Sequence, residues 1–329
     1  MSTKRMIFLG AAGLAVGAAL LSLRLGAATM GIGELWQALL SGPQGKAGII
    51  FWYSRLPRTI ACLLAGAALS VSGGVIQSVL HNRLASPTII GVNAGAGLGV
   101  TLSCALGALS GWAIAGSAFL GAMCAMLLVV FLGKTTGASR STVILAGVAV
   151  NATLNAVAEA IATLSPEVAM LSVDFRVGGF ASVSHTRLIP AGVLILLALA
   201  ALMTLRNELD VLALGDDTAR SLGLPVKQMR TLFLALAALL AGAAVSFAGL
   251  LGFVGLIVPH AIRTITGSDN RQLLPLCTLV GGAFVTLCDV AARMLFAPYE
   301  LSVGILLSVI GGPVFLVLLL RKKGDRAHA

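Results

Sequence analysis

The sequence predicts an all-α, polytopic membrane protein of about ten transmembrane helices, and three observations carry that prediction. The chain of 329 residues is 58% apolar and only 10% charged, with a mean hydropathy of +1.01. Soluble domains average about 45–50% apolar and about 25% charged residues. Apolar runs of about 20 residues, enough to cross a bilayer core, recur along the whole chain, and the charges fall chiefly between them. An ordinary soluble globule, a disordered chain and a disulfide scaffold are thereby excluded.

The elements follow in order. Lys4 and Arg5 lead into an apolar stretch that reaches Leu23. It is long for a signal peptide and many similar stretches follow, so 6–26 is the first span. Residues 27–55 form an outer loop whose Glu34, Trp36, Trp52 and Tyr53 suit an interfacial aromatic belt. Spans at 56–80, 91–109, 112–133 and 141–163 come next, then a second outer segment, 164–187, broken at Gly178 and Gly179. A span at 188–206 leads into the longest polar inner loop, 207–227. The last four spans are 229–248, 252–266, 273–296 and 302–321. The span at 252–266 is short and contains Pro259, so a full crossing is not expected of it; irregular backbone at that depth survives only against protein or a wet cavity. Residues 1–329 read as a single transmembrane domain, with no fixed-period repeat, low-complexity tract or separate soluble domain.

Charge sets the orientation. With both termini in the cytoplasm, fifteen of the 22 Lys and Arg residues fall inside and seven outside, in keeping with the positive-inside rule. The net charge of +10 has the same origin. No basic patch interleaved with aromatics points to nucleic acid.

Most local motifs read as packing. Gly66, Ser70 and Gly74 share one helix face, and Gly91, Gly95 and Gly99 share another; small residues four apart let helix backbones approach closely. Gly95, Gly97 and Gly99 lack the last glycine of a dinucleotide fingerprint. The Gly133–Thr135 tripeptide resembles the tail of a phosphate-binding loop, but Leu128 stands where the earlier glycine belongs and no strand precedes it. No ATP site is therefore expected in this chain. Cys62, Cys104, Cys124, Cys277 and Cys288 lie singly in apolar runs and read as small apolar residues. His81, His185, His260 and His328 have no ligand spacing, so no metal site is expected.

Other polar residues are candidates for function. Asn151, Asn155 and Glu159 recur every four positions on one face of the fifth span. They read either as lining of a translocation pathway or as hydrogen bonding between helices. Arg55 and Arg58 flank Pro57, and Arg293 follows Asp289 by one turn. All three arginines fall at the outer surface against the general charge bias, which points to an acidic outer partner; a local Asp289–Arg293 pair and snorkelling to lipid are the alternatives. In the inner loop, Leu209 to Leu214 suits a short helix. A second, capped by Asp216 or Asp217, runs to a stop at Gly223 before Pro225. Two such helices would present Leu214, Ala219, Leu222 and Leu224 to a cytoplasmic partner.

Four stretches resemble the FecCD-type permeases, the membrane subunits of ABC importers for iron–siderophore, haem and cobalamin. They are SRLPRTIACLLAGAALSVSGGVIQSVLHNRLASPTIIGVNAGAG at 54–97, LGDDTARSLGLPV at 214–226, GLLGFVGLIVPHAIR at 249–263 and ELSVGILLSVIGGPVFLVLLLRK at 300–322. Arg83 and Thr88 depart from the proline and the aspartate common at those places in the family. The resemblance implies the type II ABC importer permease fold, a second copy as homodimer partner, a cytoplasmic ABC ATPase dimer and an outer substrate-binding protein. It also implies residence in a bacterial cytoplasmic (inner) membrane. ATP and Mg would sit on the ATPase, with no cofactor and no enzymatic activity in this chain. The inner loop, with Leu214, Gly215, Asp217, Ala219, Leu222, Gly223 and Leu224, would dock on the ATPase. Arg55, Arg58 and Arg293 would meet the binding protein, and Asn151, Asn155 and Glu159 would border the pathway. An iron chelate is the expected cargo and a corrinoid the alternative. An ion-coupled carrier using Glu159 and Asp289 is the rival class. An intramembrane enzyme is disfavoured, because Ser and His share no helix face.

Overall fold

The computed structural model describes residues 3–26, 29–135, 140–267, 269–297 and 299–327, with the side chains of 134–141 and 318–327 left aside; His328 lies outside the described residues. Its helices are α1 (Thr3–Arg24), α2 (Ile32–Ser41), α3 (Gly45–Ile50), α4 (Leu56–Leu80), α5 (Val92–Ala105), α6 (Gly111–Thr135), α7 (Arg140–Leu164) and α8 (Pro166–Val177). They continue as α9 (His185–Thr204), α10 (Arg206–Leu212), α11 (Asp216–Ser221), α12 (Val226–Ala248), α13 (Val254–Thr266), α14 (Asn270–Met294) and α15 (Val303–Ala327). Among the described residues, seven helical stretches are long and apolar enough to cross a membrane, and α5, α13 and the 303–317 part of α15 are shorter apolar helices. The ten expected spans are thus all helical, with boundaries displaced by a few residues.

The centre of the bundle is α4, which packs along α14 on one side and α12 on the other, while α12 also packs along α6. The helices α4–α7 and α12–α15 repeat one order: long, short, long, long. Since the end of α4 and the start of α12 both meet the 207–227 loop, the two sets run in opposite directions, as inverted repeats do. This likeness of packing left no periodicity in the sequence.

Glycine makes the tight approaches: Gly66, Gly95 and Gly99 of the predicted faces do so, whereas Gly74 and Gly91 meet only ordinary contacts and Gly73, off the predicted face, takes part instead. A Cβ on Gly95 would overlap the carbonyl oxygen of Gly121, and one on Gly99 that of Ser117, which locks α5 to α6. Gly66 meets Gly281 between α4 and α14, and Gly73 meets Gly255 between α4 and α13. Lipid tails are as apolar as Leu, so this close van der Waals contact, rather than water exclusion, drives the helices together.

Two outer segments are more ordered than expected. The 27–55 loop contains α2 and α3, then a π-helical turn, Phe51–Arg55, that runs without a break into α4. Glu34 folds back to accept the Gly31 backbone N–H at 2.9 Å, a capping-box contact. The amphipathic α2 buries Ala38 against Met30 and Phe51, forming a small satellite core. Trp52 is partly covered and donates from Nε1 to the Ala38 carbonyl at 3.0 Å; Trp36 and Tyr53 remain exposed. The 164–187 segment contains α8, begun by Pro166 and ended at Gly178, whose φ is +70°. Of the five cysteines, four are buried as expected and Cys124 is exposed.

Candidate functional site

The inner loop forms the two short helices expected. Leu209 and Leu212 of α10 are fully buried, which ties the loop to the bundle. The end of α11 is a Schellman motif: Gly223 at φ +81° donates to Arg220 O at 2.9 Å, and Leu224 N–H donates to Ala219 O at 3.0 Å. Both Gly215, at φ +117°, and Gly223 have open space where a Cβ would go. Their backbone angles, not crowding, call for glycine.

The loop's exposed tip is smaller than the sequence suggests. Leu214 is 64% and Leu222 61% exposed, whereas Ala219 is 0% exposed; α11 turns it inward, so it anchors the loop rather than presenting itself. Leu224 is only partly exposed. The N-cap of α11 is Gly215, and neither aspartate caps it. Asp216 pairs with Arg230 of α12 at 2.7 Å, holding α11 to that helix, while Asp217 is almost wholly exposed and pairs with Arg220 at 2.9 Å. His81 closes α4 in a left-handed conformation, φ +50°. Its Nε2 lies 3.0 Å from Ala213 O, a second tie between loop and bundle. The His81 tie joins residues 132 apart in sequence and the Arg230 tie residues 14 apart on different helices, so no helical spacing announces them.

At the opposite end, Arg55, Arg58 and Arg293 do come together, but inwardly. Arg58 chelates the Asp289 carboxylate, from Nε at 3.2 Å to both oxygens and from Nη2 at 3.0 Å to Oδ1. It also reaches Glu300 at 2.8 Å from Nη1. Arg293 pairs with Asp289 at 3.0 Å and donates to Leu25 O and Ser22 Oγ, each at 3.0 Å. Arg55 donates to the same Leu25 carbonyl and packs against Gly26. Arg55 is 6% and Arg293 3% exposed. The local ion pair considered for Asp289 and Arg293 is therefore present, enlarged by Arg58. In this conformation Arg55 and Arg293 are not on the surface where an outer partner could touch them. Glu300, the exposed member of the cluster, was missed from sequence because it lies beyond the end of α14, 242 residues from Arg58.

Asn151, Asn155 and Glu159 share one face of α7, as their spacing predicts, and Asn155 Nδ2 donates to Asn151 Oδ1 at 3.4 Å. Asn155 and Glu159 are exposed and Asn151 partly so. In the single chain they therefore point outward and make no hydrogen bond to a neighbouring helix among those described. Among the described residues, no group of three or more His, Cys, Asp or Glu could hold a metal.

The chain matches the family model described as the FecCD transport family over residues 14–321. It is 36% identical over 280 residues to the uncharacterised ABC transporter permease protein YvrB of Bacillus subtilis, covering 83% of this chain and 79% of that protein. It is also 36% identical over 298 residues to the vitamin B12 import system permease protein BtuC of Escherichia coli, covering 88% and 89%. Among solved structures, it is similar to a chain described as an inward-facing conformation of a metal-chelate type ABC transporter. That match has a TM-score of 0.85 and 30% identity, with 96% of this chain and 99% of the other covered. The PsaBC structure from Streptococcus pneumoniae, at TM-score 0.56 and 16% identity, is alike in fold alone. A glycine-locked bundle with a braced inner loop and a family match across nearly its whole length make this chain a member of the FecCD transport family, a membrane-embedded permease of an ABC importer.

Proposed function

We propose that this permease imports a bulky metal chelate, driven by a separate cytoplasmic ATPase pair that grips the inner loop. The observation that carries the reading is the tip of that loop. Two large apolar side chains, Leu214 and Leu222, stand exposed in the turns that follow α10 and α11, and those two helices are fixed to the bundle by buried leucines and the Asp216–Arg230 pair. A braced apolar knob on the polar side of a membrane protein fits a docking cleft. ATP and Mg belong to the ATPase, and this chain's part is a pathway whose two ends open in turn. A nucleotide shifts that equilibrium only by its differential affinity for the two states.

A second copy of the chain supplies the other wall of the pathway. The exposed Asn151, Asn155 and Glu159 support this, because polar groups at membrane depth face protein or water rather than lipid. An acidic binding protein approaches the outer end. It reaches the arginine cluster by way of Arg58, by competing with Glu300; Arg55 and Arg293 take part only if the cover formed by Leu25 and Gly26 moves.

For the cargo, a corrinoid is the first reading, supported by relatives named for vitamin B12 import at 36% identity. An iron chelate is the second, supported by the likeness to a metal-chelate type transporter. The test is reconstitution in proteoliposomes with the cognate ATPase and binding protein, offering labelled cyanocobalamin and labelled ferric chelates in competition. ATP-dependent accumulation of one of them is expected. Accumulation driven by an ion gradient without ATPase would instead establish the carrier reading.

A further inference from the structure

One line of hydrogen bonds joins four helices near the inner end of the bundle. Arg263, in the last turn of α13, donates from Nη2 to the Ser78 hydroxyl at 2.9 Å and to Gly74 O at 3.1 Å. Ser78 belongs to α4, and its Oγ lies 2.9 Å from Asn270 Oδ1 and 3.0 Å from Gly74 O. Asn270 opens α14 and donates to Asp210 Oδ1 twice, from its backbone N–H at 2.9 Å and from Nδ2 at 2.8 Å. Asp210 belongs to α10, in the inner loop.

The chemistry gives this line a direction. A guanidinium only donates, so Arg263 fills the acceptor side of Ser78, and the single hydroxyl proton is shared between Asn270 Oδ1 and Gly74 O. A carboxylate only accepts, so Asp210 draws the Asn270 amide and leaves Oδ1 turned toward Ser78. A cation stands at one end, an anion at the other, and the two neutral groups between them are polarised alike, which strengthens each bond. Among the described ion pairs none joins Arg263 to a carboxylate; its Nη2 bonds go to Ser78 and Gly74 instead. Helix capping does not explain Asn270, because Asp269 caps α14 by accepting the Arg271 N–H at 2.9 Å. Asn270 is 0% and Ser78 5% exposed. Apolar residues would fill these places at no polar cost.

The far end of α13 shows what the line could move. This helix of 13 residues is about 20 Å long, too short to cross the bilayer core. It begins at Phe253, held at φ +64°. The Phe253 ring lies where a Cβ on Gly311 of α15 would have to go, and Gly255 is clasped by Gly73 and by Gln77, whose Nε2 donates to Gly255 O at 3.1 Å. A shift of the inner loop thus has a polar path to one end of α13 and a packed path from the other end to α15.

We propose that Asp210, Asn270, Ser78 and Arg263 are positioning residues that transmit displacement of the inner loop to α13. The proposal rests on the reading that an ATPase grips this loop. Ser78→Ala cuts the line while keeping both charged residues, Arg263 and Asp210, in place. In proteoliposomes containing the permease, its ATPase and its binding protein, cargo accumulated and ATP hydrolysed are measured together, with cyanocobalamin and ferrichrome as probes. Ser78→Ala is expected to lower the cargo moved per ATP at least tenfold, with basal hydrolysis within about twofold of wild type and a thermal midpoint in detergent lowered only as far as one lost buried hydrogen bond requires. Asn270→Ala should do the same, and the double variant should be no worse, as expected for two links of one chain. Ser78→Thr, which keeps the hydroxyl, should recover most of the coupling. Wild-type coupling in Ser78→Ala, independent additive losses, or a loss that tracks a lowered midpoint would each overturn the proposal. A wild-type complex that never couples uptake to ATP would overturn the importer reading itself, and this inference with it.

Discussion

Asp289 is the residue on which the outer end depends. Its carboxylate is 1% exposed and faces two guanidinium groups. Asp289→Asn leaves Arg58 and Arg293 with a neutral partner, and breaking a buried pair in this way costs roughly 3–5 kcal/mol. A clear fall in the thermal midpoint of the detergent-solubilised protein is expected; an unchanged midpoint would mean that the cluster does not hold the outer end together. Gly95 sets a different limit. Gly95→Val drives a side chain into the Gly121 carbonyl, so α5 and α6 must separate, at a cost of about 1–3 kcal/mol or more. Gly13→Val, on a face with open space, should leave the midpoint nearly unaltered in the same assay. The close approach at Gly95 was legible in the i, i+4 spacing. The Arg58–Asp289 contact was not, because the two residues are 231 positions apart.

Within the inner loop, two neighbouring substitutions should separate docking from folding. Leu222→Glu alters an exposed side chain and should change permease stability by less than about 0.5 kcal/mol, yet weaken ATPase association at least tenfold in a pull-down with purified components. Gly223→Val forces a β-branched residue into a left-handed turn, costing about 1–2 kcal/mol, so α11 frays and uptake falls through the loop's shape. Equal ATPase affinity for wild type and Leu222→Glu would remove the docking role. At α14, a side-chain hydrogen bond from Gln272 holds the Asp269 carboxyl below its ordinary range, with help from the Arg271 N–H and charge. The stabilisation is present above the unfolded value of about 3.9 and is lost as pH falls through the lower folded value. Asp269→Ala should therefore cost about 1 kcal/mol near neutral pH, and the gap between the two proteins should close below about pH 4, as followed by thermal melts across pH. The stop at Gly223 could be read from the sequence. The inward turn of Ala219 could not, because it depends on which side of α11 meets the bundle.

Orientation is a property of the whole molecule. The positive-inside bias predicts Ile49 outside and Leu222 inside, and the structure puts the two on opposite ends of the bundle. In a cysteine-free background, an impermeant thiol reagent added to intact cells should label Ile49→Cys and spare Leu222→Cys; in inside-out vesicles the pattern should reverse. Labelling of both from one side would refute the topology. The interlocking of α4 with α14 and of α12 with α6 ties the two sets of helices together. Each inverted half buries the first long helix of the other.

Composition and hydropathy by themselves determined the membrane class and the number of apolar segments, because a bilayer demands long unbroken runs and leaves a strong signal wherever one occurs. Local spacing determined the glycine faces and the stop of the inner loop, because helical periodicity places those residues within a turn or two of one another. Only the tertiary structure decided that α2 and α3 form a small core of their own with Met30 and Phe51, that Arg55 and Arg293 turn inward, and that Arg263, Ser78, Asn270 and Asp210 form one line. Those features depend on pairs of side chains brought together by the crossing of distant helices, and separation along the chain says nothing about which crossings the packing will select.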